Sequence, residues 1–292
     1  MTSAGFDVEF GIDWTTGFVF GGNEHNCGTW MDKMGSSEAA GNLGKPATPR
    51  HGTAVEIVGL CYSAVKWLDN LSQQSLFPYT GVSVLQDDIL IQITYHNWRD
   101  LIAKNFELKF FIDFDKSNDP HPELVNRRGI YRDVYQCSHK WSEYQLRPNF
   151  VIAIALAPEL CNVDHAWAAV EQVGEVLMGP LGLKTLDPSD LEYSGFYDNS
   201  HWSMDYKTAC GFSYHQGPEW IWPVGFFLRA MIQVAKRLED QHAGILGDTL
   251  SNVRRILAAH HTFIHVSAWK SLPELTNENG EVSNNSKNEW YF

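Results

Sequence analysis

Two long stretches of this chain carry no apolar periodicity, the first fifty residues and the segment from Gly179 to Pro218, and the stretches around them are spaced for helices. A fold built from it must therefore combine helices with long irregular connections. Long loops inside a compact chain are usually functional. No local repeat, heptad pattern or βαβ alternation is present, so the class expected is mostly α, with chemistry-bearing residues in loops at helix ends.

The helices can be placed from spacing. Val55, Val58, Cys61, Val65, Leu68 and Leu71 recur at helical intervals, and Thr53-Ala54-Val55-Glu56 reads as a capping box opening a helix that runs to about Gln73. A second helical stretch is expected from about Val84 to Phe111, with a break or cap near its start. Shorter helices fit Asn149 to Leu160 and Val163 to Met178. Pro218 should open a helix from Glu219 to about Leu238, and another is expected from Asp248 to about His265. That makes about six helices.

Each long loop sets one carboxylate beside tryptophan: Asp32 in Asn26-Cys27-Gly28-Thr29-Trp30-Met31-Asp32-Lys33, and Glu219 in His215-Gln216-Gly217-Pro218-Glu219-Trp220-Ile221-Trp222. Sugars stack their C–H faces on aromatic rings, and glycosidic bonds are cut between two carboxyl groups, so the pairing points to glycoside hydrolysis. A carboxyl beside an indole can be desolvated into a general acid, although Lys33 opposes that if it points the same way. Glu219 at a helix start would be kept ionised by the macrodipole, as a general base requires. The plainer readings are a turn aspartate and a first-turn glutamate. Arg50, Arg147 and Asp198 flank these motifs and could hold a sugar hydroxyl or orient a carboxylate, structural ion pairs being the commoner use. His261 and His265 share a helix face but lack a third ligand, and neither a nucleophile elbow nor a phosphate-binding loop is present.

Composition narrows the partners. A net charge of -13, with no Lys/Arg run longer than two, argues against nucleic acid and anionic membrane and leaves a neutral ligand such as a glucan. Aromatic residues make up 13% of the chain, with 11 Trp, enough to leave some for a cleft. Five cysteines without a Cys-x-x-Cys pair point to a reducing compartment. The N-terminus lacks the pattern of a signal peptide and the longest apolar run is too short to span a bilayer, so a cytoplasmic location is expected.

Several motifs, in order, resemble a known family. They are Gly21 to Gly35 (GGNEHNCGTWMDKMG), Pro46 to Arg50 (PATPR), Ala54 to Leu60 (AVEIVGL), Tyr144 to Phe150 (YQLRPNF), Gly179 to Pro188 (GPLGLKTLDP) and Tyr214 to Pro223 (YHQGPEWIWP). Together they are similar to the C-terminal region of eukaryotic glycogen debranching enzymes, over about Gly11 to Gly280. The resemblance implies an amylo-α-1,6-glucosidase built as an (α/α)6 toroid related to glucoamylase, acting on glucose branch stubs of glycogen limit dextrin. It implies Asp32 as the acid that protonates the O6 leaving oxygen and Glu219 as the base that activates water on the opposite face, with inversion and without a cofactor or metal. Such a pair sits ~6.5–9.5 Å apart. Trp14, Trp30, Arg50, Arg147, Asp198, His215 and Trp220 are the accompanying candidates for substrate binding, and glycogen or another branched α-glucan is the partner.

Residues 1–292 are read as a single domain that holds only the C-terminal half of the toroid, with another chain as a candidate source of the missing helices. Residues 281–292 form a divergent tail, and His51 stands where the resemblance leads one to expect an acidic residue. The alternative from a different class is a non-catalytic glycogen-binding fragment or a degenerate copy.

Overall fold

The computed structural model describes residues 7–86 and 88–282, so most of the divergent tail lies outside the described residues. The chain opens with an antiparallel hairpin, β1 (Phe10–Asp13) and β2 (Phe18–Gly21), and reaches β3 (Thr53–Ala54) through a long loop. Gly21 and Gly52 exchange backbone hydrogen bonds of 2.9 Å in both directions, which closes residues 22–51 into a loop tied at its neck. Helix α1 (Val55–Gln73) follows. The capping box does not form: Thr53 is in the ladder opposite Tyr135, and Glu56 turns to Arg50 instead of back to its own helix end.

The second expected helix is half strand. Gly81–Gln86 (β4) and Ile89–Thr94 (β5) pair as an antiparallel hairpin, and only Tyr95–Phe110 (α2) is helical. Alternating β-branched residues, Val82, Val84, Ile89, Ile91 and Ile93, favour the pleated form over the helix. The true cap is Thr94, whose hydroxyl accepts from the Asn97 amide at 3.1 Å. Short ladders then join β6 (Phe111–Ile112) to β7 (Ile130–Tyr131) and β8 (Val134–Tyr135) to β3, before the single turn α3 (Lys140–Glu143).

Helix α4 (Phe150–Leu156) is apolar on every side and packs against both α1 and α6 (Trp222–Leu238). Its crossing with α1 is close because Gly59 has no side chain: a Cβ there would stand 2.6 Å from Ala153. Helix α5 (Val163–Gln172) is capped by the Asn162 side chain and runs into a π-turn over Val173–Leu177. Helices α2, α5 and α7 (Ile245–Val266) flank this row, α2 against α1 and α5 and α7 against α6. One apolar core joins them, from Val58 and Tyr62 through Phe106, Phe150 and Val170 to Phe227 and Val253.

The expectation that Glu219 starts a helix is corrected. Glu219 and Trp220 form β10, the central strand of a small antiparallel sheet between β9 (Leu183–Lys184) and β11 (Leu275–Thr276). The helix begins at Trp222, with Pro223 in its first turn, where a missing N–H costs nothing. Taken together, the described residues form a mixed chain of seven helices, α1 to α7, with small sheets that hold the long loops in place. No helix among them is long and apolar enough to cross a membrane.

Candidate active site

Asp32 sits in the tied loop between two anchored residues and is itself exposed. On one side Met31 is fully buried, and the Trp30 indole donates to Asn149 Oδ1 at 2.9 Å. Thr29 Oγ1 accepts from Arg50 at 3.0 Å. On the other side Lys33 reaches Asn199 Oδ1 at 2.8 Å and lies over the Tyr214 ring. The loop is thus fixed at both ends while its carboxyl faces solvent.

The anchors rest on one buried aspartate. Asp133 accepts from Arg50 Nε at 2.5 Å and Nη2 at 3.1 Å, and from Asn149 Nδ2 at 2.7 Å, while Glu56 takes Arg50 through two bonds of 2.7 Å. Burial by itself disfavours the charged guanidinium, but the two carboxylates outweigh it and hold the Arg50 pKa above its ordinary value. Arg147 is buried as well. It donates to Gln145, Gln216 and the carbonyls of Thr185 and His215, and burial together with Arg50 nearby takes its pKa down to about 10, so it stays charged at neutral pH. The donors of Arg50 and Arg147 are spent on the protein, where they tie the two loops together.

Glu219 differs even more from its expected surroundings. Its relative exposure is 0%. One carboxylate oxygen accepts from Thr276 Oγ1 at 3.0 Å, the other from the Asn279 amide at 3.2 Å, and Lys184 Nζ is 3.8 Å away. Desolvation is the largest influence and raises its pKa despite these donors. The carboxylate fits because Gly179 leaves the space: a Cβ there would stand 2.1 to 2.3 Å from its atoms. Glu219 thus holds the segment 276–280 against the sheet.

The exposed carboxylate on that segment is Glu278. Its amide donates to Gly195 O at 2.8 Å and its side chain adjoins Tyr193, whose phenol is shifted up by burial and by the Glu278 charge. Asn277 Oδ1, one residue earlier, accepts from the Tyr197 amide at 2.8 Å.

Between the two loops lies an aromatic cluster. Trp30 meets the rings of His215, Trp220 and Trp222 at centroid distances of 5.1, 5.4 and 4.7 Å, all edge to face. Tyr214 contacts Trp220 at 4.8 Å and Tyr197 at 4.5 Å. The Asp32 loop borders this cluster through Trp30 and Lys33, and the Glu278 segment borders it through Tyr197. His215 is fully buried, and neither ring nitrogen finds a hydrogen-bond partner among the described residues. Burial, with Arg147, Arg50 and Lys33 nearby, keeps its pKa well below the usual value, so the ring is neutral.

Of the sequence candidates, Trp30, His215 and Trp220 come together, and Asp198 lies beside the Asn199 that Lys33 contacts. Trp14 does not join them: it packs edge-on against Trp98 of α2 at 5.4 Å. His51 is mostly buried and bonds Ser138, accepting from its amide at 3.1 Å. Four further residues at these loops, Asp133, Asn149, Thr276 and Glu278, are not among the sequence candidates. Asn149 lies in the motif YQLRPNF, and Glu278 lies in Leu275-Thr276-Asn277-Glu278-Asn279-Gly280, a polar run after the last helix in which a carboxylate is the sequence signal.

The family model described as amylo-alpha-1,6-glucosidase matches residues 2–289. A glycogen debranching enzyme from Saccharomyces cerevisiae (strain ATCC 204508 / S288c) is 44% identical over 296 residues, an alignment that covers 98% of this chain and 19% of the relative. The chain thus spans about a fifth of the length of that relative.

Proposed function

The chain belongs to the amylo-alpha-1,6-glucosidase family, and from that premise we propose that it hydrolyses α-1,6-linked glucose stubs on a branched α-glucan of the glycogen limit-dextrin kind. The observation that carries this reading is an exposed Asp32 held at the edge of the Trp30, Trp220 and Trp222 cluster by a buried ionic lattice. A glucose ring stacks on the accessible parts of such a cluster, here Trp30 and Trp222. Asp32 gives its proton to the O6 oxygen as the C1–O6 bond breaks. Water attacks C1 from the opposite face, loses a proton to the second carboxylate, and leaves inverted glucose and a shortened branch point.

The resemblance gave that second role to Glu219. Its burial and its occupied oxygens favour a positioning role instead, because a general base must touch the attacking water. We assign the base to Glu278, which is exposed and stands on the segment that Glu219 holds. No cofactor enters the reaction.

The helix arrangement supports the toroid reading. Helices α1, α4 and α6 pack in a row, with α2 against α1 and with α5 and α7 against α6, the order that half of an (α/α)6 ring in a single domain would need. Ile57, Leu60 and Trp67, 39%, 45% and 61% exposed, form an apolar stripe on α1 that further helices would cover, supplied by a longer protein or by another chain. We assign the reaction to the cytoplasm, in keeping with five unpaired cysteines.

Glucose release from a limit dextrin bearing single-glucose branches tests the proposal. Release that Asp32→Asn lowers by ~10²–10⁴-fold, with unchanged melting, is the expected result. Glucan binding without turnover in the folded chain would replace the enzyme by a binding module.

A further inference from the structure

Two cavities of about 550 and 520 Å³ meet at Trp141 and Glu192, which line both. Trp141 is 39% exposed and lies nearly parallel to the His139 ring, 9° apart, which backs it. The first cavity adds a second half-exposed ring, Tyr206, propped edge-on by Phe212 at 5.3 Å with Lys45 Nζ over its face. Acceptors stand beside the rings: Glu192, near Lys207 Nζ at 3.4 Å, and in the second cavity Asp190. Exposed flat rings flanked by carboxylates suit a neutral polyhydroxylated ligand, whose C–H faces stack and whose hydroxyls donate. In the wall of the first cavity Glu24 and Glu192 are matched by Lys45 and Lys207, so it holds no excess of positive charge to draw a phosphate, and a neutral ligand suits it.

The wall of the first cavity continues into the Asp32 loop. Ala47 lines it, and the Ala47 amide donates to Lys33 O at 2.9 Å, while Gln216 Nε2 donates to Ala47 O at 2.5 Å. A chain lying along these cavities would run beside the backbone that carries Asp32.

We propose that Trp141, Tyr206 and Glu192 form a subsite for a linear α-1,4-glucan segment, the main chain from which a branch stub projects. The inference rests on the hydrolase reading above and extends it to the part of the substrate that does not react. Its test avoids the chemistry. Maltoheptaose has no α-1,6 bond, so its affinity for the chain, measured by isothermal titration, reports binding without hydrolysis, and the Trp141 variants isolate the subsite's share. Trp141→Ala should weaken that affinity about tenfold, the effect of losing one aromatic stack. Trp141→Phe, which keeps a ring, should retain most of it, and Leu60→Lys on the exposed face of α1 should leave it unchanged. Equal affinity in wild type and Trp141→Ala, or absence of maltoheptaose binding to the folded wild type, overturns the proposal. If glucose release persists while Trp141→Ala binds normally, the hydrolase reading stands and the subsite falls.

Discussion

At the residue scale, the site separates groups that touch solvent from groups that hold them. Asp32 and Glu278 are exposed, whereas Asp133, Arg50, Arg147 and Glu219 are buried and spend their hydrogen bonds inside the protein. Removing an exposed acid should cost turnover but little stability, within about 0.5 kcal/mol. Asp133→Asn should behave in the opposite way. It leaves the buried Arg50 with one carboxylate fewer and should destabilise by ~3–5 kcal/mol, read as a lower denaturation midpoint, with activity lost through displacement of Thr29 and Trp30. His215 supplies a pH signature. Its folded pKa lies below the value in the unfolded chain, so the unfolded state binds the extra proton first, and stability falls as pH drops through and below about 6.5. Comparing melting of wild type and His215→Gln between pH 7.5 and 5.5 checks this, since the variant should lose less on acidification.

At the element scale, the small sheet around β10 does what a helix start was expected to do. Because Glu219 is raised by burial, the stability tied to its neutral form is present at acid pH and is lost as pH rises through its folded pKa. The difference in melting between wild type and Glu219→Gln should therefore shift against the wild type as pH increases from 4 upward. Gly179→Ala places a methyl on the Glu219 carboxylate and should cost ~1–3 kcal/mol, with loss of order in the segment 276–280 visible as faster amide exchange. These elements also show what the sequence could reveal. The apolar faces of α1 and α6 follow from spacing, since a helix buries residues three and four apart, and α4 from its unbroken apolar run. The tryptophans beside Asp32 and Glu219 mark two loops whose rings meet in the structure. Two-residue strands such as β9, β10 and β11 have no periodicity to detect, and their pairing depends on residues 35 to 57 positions apart. The lattice around Asp133 was hidden for the same reason, as Arg50 lies 83 residues from it in sequence.

At the scale of the whole molecule, α1 leaves Ile57, Leu60 and Trp67 exposed as an apolar stripe. The chain at micromolar concentration should self-associate through that stripe, and Leu60→Lys with Trp67→Lys should return it to a monomer by light scattering without lowering glucan affinity. A monomer before substitution would mean that the stripe is not a covering face. The division of labour between the two glutamates is the claim on which the site depends, and paired measurement of turnover and melting for Glu278→Gln and Glu219→Gln tests it most directly. Glu278→Gln should lose ~10²–10⁴-fold in glucose release from a limit dextrin while melting as wild type does, and Glu219→Gln should melt at lower temperature. Full turnover in Glu278→Gln, together with abolished turnover in a Glu219→Gln chain of native stability, would contradict it.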